Sequence, residues 1–139
     1  KMNIPFRINQ LRTLQFAIFP DKFVNGISVS VDTKVTFGVR KDLGDIKCVM
    51  DIRFRQEDNL LLTSLTQCNF GISPEGATDL REKGHIPVDF LRHIATITTG
   101  TVRGIIHSKT DGTVLNPIVL PPINLVNLIH DDILLDKVE

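Results

Sequence analysis

Apolar and polar residues alternate along the first half of the chain with the period of a β-strand. In the segment 27–39, apolar side chains recur at every second position except Thr33, and Ser28, Asp32 and Lys34 fall between them. Because successive strand residues point to opposite faces, this pattern predicts a strand with one buried face and one wet face. The apolar positions are Ile27, Val29, Val31, Val35, Phe37 and Val39.

The same alternation returns in the segment 46–54, between turn residues at 41–45 and at 56–59. The segments 6–20 and 60–72 are also strand-like, although they alternate less regularly. Four strands joined by short turns predict an antiparallel sheet over residues 6–72, mostly a meander. The apolar face of the third strand carries Ile46, Cys48, Met50, Ile52 and Phe54.

The segment 73–87 mixes charged residues with Pro74, Gly76, Gly84 and Pro87, which predicts a loop or a short helical turn within one domain. After it, β-branched residues dominate and favour a strand by propensity. The apolar spacing is instead that of a helix, and Pro87 precedes the run. We therefore predict a long helix over residues 88–108. Its first apolar stripe is Leu91, Ala95, Thr98, Val102 and Ile105.

A second apolar stripe lies beside the first and consists of Phe90, Ile94, Ile97 and Thr101. One sheet face cannot cover both stripes, so we expect the second stripe to be an interface between identical subunits. Gly100 and Gly104 would let another backbone approach closely; the alternative is that they only accommodate bulky neighbours within one chain.

The segment 116–129 is almost wholly apolar but contains Pro121 and Pro122, so it cannot be regular structure throughout. It would either fill the core of the domain or lie extended over the sheet and expose apolar side chains. Helical spacing then predicts a C-terminal helix over 123–137, capped by Asn124. Residues 1–2 resemble a tag scar ahead of a start methionine.

The net charge of the chain bears on whether it could bind nucleic acid or anionic membranes. Sixteen basic residues balance sixteen acidic ones, so the chain has no broad attraction for nucleic acid or anionic lipid. No stretch is long and apolar enough to predict a membrane span, and no signal segment opens the chain, so we expect a cytoplasmic protein. Cys48 and Cys68 are too few for a disulfide framework and are interpreted as buried thiols.

Residues that would carry enzyme chemistry are not arranged in a known motif. The four histidines are scattered, and the contiguous residues of His130-Asp131-Asp132 would point in different directions on a helix rather than share a metal. Cys68 has no evident base beside it. We therefore expect no catalytic residue, no metal and no cofactor. A binder of small apolar ligands or an unrecognised enzyme remains the rival interpretation.

The order of these parts resembles the SecB family of protein-export chaperones, over roughly residues 6–135. The family carries an L-x-P-[VI]-N-[FL]-x-x-L pattern between its two helices, and Gly112-Thr113 matches a Gly-Thr pair that precedes it. The strands match in pattern more than in letters. The positions that match the motif in letters are Leu120, Pro122, Ile123, Asn124, Leu125 and Leu128.

The resemblance implies an α+β fold, with the four-stranded sheet followed by a long helix, an extended Pro-containing connector and a C-terminal helix. It also implies a homotetramer, built as a dimer of dimers, that holds unfolded or partly folded polypeptides in hydrophobic grooves without ATP. The expected client-binding residues are Ile118, Val119, Leu120, Pro122, Leu125 and Leu128.

One departure from the family concerns its docking site for the SecA motor. Gln15 and Phe19 stand where export members carry acidic residues, and Ser64 falls near another acidic position. We therefore do not expect docking to the motor in the usual way. The activity would serve either protein export or a single dedicated partner, such as an antitoxin in a toxin–antitoxin system, which some family members shield.

Overall fold

The computed structural model describes residues 4–137, which begin with four long strands. The remaining elements follow the sheet in the chain. The strands are β1 (Phe6–Ile18), β2 (Ser30–Val39), β3 (Asp45–Gln56) and β4 (Asn59–Ile72), followed by α1 (Pro74–Lys83), β5 (His85–Ile86), α2 (Val88–Lys109), α3 (Leu125–Leu128) and β6 (Ile133–Leu134). The predicted tag scar at 1–2 lies outside the described residues.

The four strands form one antiparallel sheet in the order β1–β4–β3–β2, which confirms the predicted α+β fold class. The strands β2, β3 and β4 are a meander, whereas β1 pairs with β4, so the first two strands occupy opposite edges. The 19–29 connection must therefore cross the end of the sheet, a distance of about 14 Å for three strand spacings.

Strand alternation places one face of the sheet in the core. In β3, Ile46, Cys48, Met50, Ile52 and Phe54 are each at most 1% exposed. Residues directly opposite one another in an antiparallel pair point to the same face. Their partners on β4 include buried residues, and charged residues occupy the other, open face.

The segment 73–87, predicted as a loop or a short helical turn, is mostly the ten-residue helix α1, so the helical alternative applies and the loop does not. Ser73 caps its start by accepting a hydrogen bond from the Gly76 N–H at 3.0 Å, and Pro74 occupies the first turn. Gly84 ends it with φ +77°, a backbone conformation that favours glycine. The Gly and Pro residues that suggested a loop are thus start and stop signals of a helix.

The helix α2 spans Val88–Lys109, close to the predicted 88–108. Its threonines are compatible with a helix because their hydroxyls bond back to carbonyls four residues earlier. Thr98 donates to Ile94 O at 2.9 Å, and Thr99 donates to Ala95 O at 2.8 Å. The apolar spacing therefore outweighed the strand propensity of the segment.

The predicted C-terminal helix over 123–137 is wrong beyond its first turn. Asn124 does cap a helix, but α3 ends at Leu128, and Ile129 is extended. The chain then pairs β6 with β5, and the Asp132 carboxylate accepts a hydrogen bond from the Val88 N–H at 2.7 Å. Pro87 provides no side-chain cap for α2, so the Asp132 carboxylate supplies the missing acceptor. The chain around Asp132 makes this bond instead of continuing α3 for another turn.

The covered face of the sheet is wider than the helix that lies on it. Four strands span roughly 19 Å, whereas one helix is about 10 Å across. The helix α2 lies over the two central strands, β3 and β4. The flanks of the sheet, at β1 and β2, must therefore be covered by something else or remain exposed. Within residues 4–137, no helix is long and apolar enough to cross a membrane.

We predict that Asp132→Ala lowers the free energy of unfolding by about 1 kcal/mol, because the Val88 N–H at the start of α2 loses its acceptor. Urea denaturation measures this change. The adjacent Asp131→Ala is the control, since Asp131 is exposed, and it should change stability by less than about 0.5 kcal/mol. Equal effects of the two substitutions would contradict the capping role.

Candidate polypeptide-binding surface

The connector between α2 and α3 lies outside the sheet ladder. After the turns at 110–117, residues 118–124 have no regular structure and run toward α3. Pro121 and Pro122 lack an N–H, which suits a segment that pairs with no strand. The connector has to satisfy its carbonyl groups by other means, because unpaired polar groups are costly in a packed structure.

Two arginines of α2 hold the connector by its backbone. Arg103 donates from Nε to Leu120 O at 2.7 Å and from Nη2 to Pro121 O at 3.0 Å. About three turns earlier, Arg92 donates from Nη2 to Ile129 O at 2.7 Å and from Nε at 3.0 Å. The helix α2 thus holds the chain at two places, in the middle of the connector and just after α3.

The predicted client-binding residues divide into two groups. Val119 is 56% exposed and Leu128 is 38% exposed, and Pro122 is exposed as well. Ile118 and Leu125 are half-buried against the core. Five of the six predicted residues therefore keep surface that a client could contact.

Leu120 was wrongly predicted to bind clients, because it is only 1% exposed. Its side chain belongs to the core cluster of Met50, Ile52 and Phe54. The connector must anchor itself to the sheet, and Leu120 supplies that anchor beside the Arg103 fastening. The two interpretations of the connector thus apply to different residues of the same segment.

Several exposed apolar residues at this surface were missed by sequence reasoning. Val126 is 59% exposed, Val24 is 49% exposed and Ile27 is 36% exposed. The apolar face of β2 is only half-buried, because β2 is an edge strand beyond the reach of α2. Its alternation was visible in the sequence, but its place at an edge was not. We call connector residues 113–129, the covered face of β2 and the loop 23–29 the connector surface.

The buried side chain of Gln56 shapes one border of the connector surface. It is 1% exposed and makes three hydrogen bonds to the backbone of the loop. Its Oε1 accepts from the Val24 N–H at 2.9 Å, and its Nε2 donates to Val24 O at 2.8 Å and to Ile27 O at 2.9 Å. These bonds satisfy a buried amide and hold two exposed apolar residues in place.

Several concave sites on this chain lie away from residues 113–129. Four surface cavities of 300 to 460 Å³ lie elsewhere, and none of the four is lined by a residue from 113–129. A site for a small molecule or a catalytic centre would be concave, with a few convergent polar groups. An exposed apolar strip is better suited to contact along an extended chain.

The opposite flank of the sheet, at β1, is a second exposed apolar surface. Phe6 packs edge-on against Phe90 with ring centroids 5.7 Å apart, and Lys109 Nζ lies 5.4 Å from the Phe16 ring centroid. Between these contacts, Ile8 is 51% exposed and Leu11 is 48% exposed. Both lie opposite buried β4 residues and therefore point to the covered face.

Two buried hydroxyl groups without hydrogen-bond partners in residues 4–137 lie on β4, beside this second surface. Ser64 Oγ and Thr66 Oγ1 are buried, and neither has a hydrogen-bond partner among the residues that the structure describes. They lie on β4 opposite Phe16 and Thr13 of β1. We call Ile8, Leu11 and the adjoining edge of α2 the β1 flank.

The predicted subunit interface is half wrong. Phe90 is 9% exposed and Ile94 is 0% exposed, so both fill the core of their own chain. Ile97 and Thr101 of the same stripe are half-buried and remain accessible. The second stripe of α2 was expected to need a partner subunit, but the sheet, with Phe6 of β1 against Phe90, covers half of it within the chain.

Gly100 and Gly104 lie on the exposed edge of α2. No heavy atom lies within 4 Å of a Cβ built at either position, apart from the neighbouring residues and the backbone of the helix itself. The interpretation that they only accommodate bulky neighbours within the chain is therefore wrong. The exposed edge of α2 offers a close approach for atoms from outside the chain.

Comparison with known proteins identifies the fold. No protein-family model matches the chain, and no curated protein matches it. A solved structure does match: the SecB-like chaperone Rv1957 of Mycobacterium tuberculosis, in complex with a ChAD peptide from the antitoxin HigA1. The TM-score is 0.55, and the match covers 86% of this chain and 88% of that chain at 11% sequence identity.

This chain has a SecB-like fold. The antiparallel sheet, the long helix and the connector follow one another as the resemblance implied, apart from the shortened final helix. At this level of identity, the likeness concerns the architecture alone. The residues that would bind a partner must be argued from this chain.

The positions that replace acidic residues of the motor-docking site are not equivalent. Gln15 lies on the open face of the sheet, opposite Leu65, and Phe19 is 37% exposed just after β1. Ser64 lies on the covered face and is 0% exposed, so it cannot take part in docking on the open face. Of the three, only Gln15 and Phe19 occupy accessible positions.

Both cysteines of this chain are free thiols buried in the core. Cys48 and Cys68 are paired across β3 and β4, and burial raises the pKa of both thiols, that of Cys48 to about 11. Such thiols are poor nucleophiles because the thiolate is scarce. Within residues 4–137, no three His, Cys, Asp or Glu side chains are grouped to hold a metal ion.

We predict that Arg103→Ala lowers the free energy of unfolding by about 2 kcal/mol, because two backbone carbonyls lose charge-assisted bonds. Urea unfolding measures the change, and the connector should also become more sensitive to protease. Arg53→Ala is the control, since Arg53 is exposed on the open face and should matter by less than about 0.5 kcal/mol. A stable Arg103→Ala protein with an unaltered connector would contradict the fastening.

Proposed function

We propose that this protein is an ATP-independent holdase, a binding protein rather than an enzyme, which captures unfolded or partly folded polypeptides on the connector surface. The observation that supports this most directly is the set of apolar side chains left exposed there. Val119, Val126 and Leu128 all project from one connector, and the neighbouring face of β2 is only half-buried. Contacts by burial of apolar area do not depend on the order of residues in the client.

The expected free energy of client binding is that of a chaperone that binds its clients reversibly. Each fully covered aliphatic side chain contributes roughly 1–2 kcal/mol. The exposed fractions of Val119, Val126 and Leu128 mean that part of this gain remains for a client. Several such contacts would hold a chain without committing to a single sequence, and release would need no nucleotide.

The β1 flank is proposed to bind other copies of the same chain in a homotetramer, a dimer of dimers. It combines an edge strand, exposed Ile8 and Leu11, and the glycine edge of α2. A symmetric interface buries the same patch on both subunits. The partner copy would cover apolar surface that α2 is too narrow to cover.

A second candidate function is the protection of one dedicated partner, such as an antitoxin. The observation that favours it is the similar structure, which was solved with an antitoxin peptide. Gln15 and Phe19 in place of acidic residues also speak against docking to an export motor. Protein export remains the role that the sequence resemblance implies, and the number of clients protected distinguishes the two functions.

The holdase function predicts that the protein slows the aggregation of two unrelated denatured clients, as measured by light scattering. Val126→Asp should raise the concentration needed for half protection by about tenfold, which corresponds to about 1.4 kcal/mol. Leu134→Asp is the control, because Leu134 is 50% exposed but lies on β6, away from the connector.

The outcomes of this assay separate the candidates. Protection of both clients, lost in Val126→Asp and kept in Leu134→Asp, supports a general holdase. Protection of one client alone indicates a dedicated partner. Protection of neither client by the unaltered protein would refute both versions of the proposal.

Self-association predicts that the protein is a tetramer by light scattering, and that Leu11→Lys on the β1 flank breaks it into smaller species. A lysine there would have to be buried without a counter-charge. Ile97→Asp should act in the same direction, whereas Thr36→Lys on the open face of β2 should leave the assembly intact. A monomer at micromolar concentration before any substitution would defeat this prediction.

A further inference from the structure

The connector carries no charge along the length that is proposed to contact a client. Residues 113–129 contain no Asp, Glu, Lys, Arg or His. The exposed polar side chains among them are amides, at Asn124 and Asn127. Residues 113–129 themselves therefore offer a client neither a positive nor a negative counter-charge.

The covered face of β2 is uncharged as well. Both charged residues of this strand, Asp32 and Lys34, occupy the open face. Asp32 is bound there by Arg55 Nε at 3.0 Å, and Lys34 lies opposite Asp51. The other face presents Val31, Thr33, Val35, Phe37 and Val39.

The arginines beside the connector keep their positive charge, but the donors that face the connector are already occupied. The Nε and Nη2 groups of Arg92 and Arg103 are already bonded to connector carbonyls. Arg92 also lies 3.7 Å from the Asp89 carboxylate. Beyond the connector, acidic Asp131 and Asp132 stand near the end that Arg92 holds, so charges of both signs meet there.

We infer that the connector surface selects client segments that are free of charge of either sign over the length in contact. This inference rests on the proposed function and names the class of substrate. The part of the connector without regular structure, residues 118–124, can span at most roughly 23 Å, which sets an upper limit of about seven extended client residues for the contact. Within that window, a client charge of either sign would lose water and find no ionic partner among residues 113–129 or on the covered face of β2, so both Lys and Glu would be penalised.

A surface with a net sign would behave differently. It would bind clients of the opposite charge more tightly and respond steeply to salt. Because residues 113–129 and the covered face of β2 carry no charge, we expect salt to have little effect on the binding of an uncharged segment. We also expect clients to be recognised by the number of consecutive uncharged residues that they contain, rather than by their net charge.

The test uses the full-length protein and labelled peptides with blocked ends, each an uncharged sequence rich in Val and Thr. Three versions carry Ala, Lys or Glu at the centre, and fluorescence anisotropy measures their affinities. We expect the Ala peptide to bind and both charged versions to bind at least about tenfold more weakly, within about threefold of each other. A charged peptide that binds as tightly as the Ala peptide, or a clear preference for one sign, would overturn the inference.

Two matched variants place a charge on either face of the same strand. Thr33→Lys adds it to the covered face of β2, and Thr36→Lys adds it to the open face. We expect Thr33→Lys to favour the Glu peptide over the Lys peptide by about tenfold and Thr36→Lys to leave their ratio within about twofold. Equal shifts in both variants, or a shift in neither, would count against the inference.

Failure of the inference differs from failure of the proposed function. If the uncharged peptide does not bind at all, the holdase proposal is refuted and the inference falls with it. If it binds but a charged version binds equally well, only the selection against charge is refuted.

Discussion

The fold depends on a mismatch of widths between one helix and one sheet. The sheet presents an apolar face roughly four strands wide, and α2 is wide enough to cover the central pair, β3 and β4. The core is complete beneath the helix, where Ile46, Ile94 and Val102 are all 0% exposed. The two edge strands retain apolar surface that this helix cannot reach, and most of the exposed apolar side chains follow from this geometry.

The two edges resolve the mismatch in different ways. At β2, the chain uses its own connector, which is held by Arg92 and Arg103 and anchored by Leu120. The connector has no regular structure at 118–124, covers this edge only in part and adds exposed residues of its own, such as Val119. At β1, Phe6 and Phe16 contact the two ends of α2 and leave the middle of the strand open. Under the proposed function, the edge at β2 would bind variable clients, and the edge at β1 would bind a second copy of the chain.

Much of the fold could be predicted from the sequence, because period-2 alternation and helical spacing are local signals. The sheet over 6–72 and α2 were predicted closely, and the motif at 120–128 indicated the architecture. The errors all involve contacts distant in the chain. Nothing local shows that Asp132 caps α2 in place of a longer final helix, that Ile94 is covered within its own chain, or that Leu120 anchors the connector. The length of α1 was underestimated because Gly and Pro mark helix ends as well as loops.

Hydrogen–deuterium exchange of the unaltered protein, with and without an unfolded client, tests most directly whether the two edges have separate roles. The account predicts that client lowers exchange in 113–129 and in β2, while β1 (Phe6–Ile18) stays unchanged. Client-induced protection confined to β1, with the connector unaffected, would contradict it.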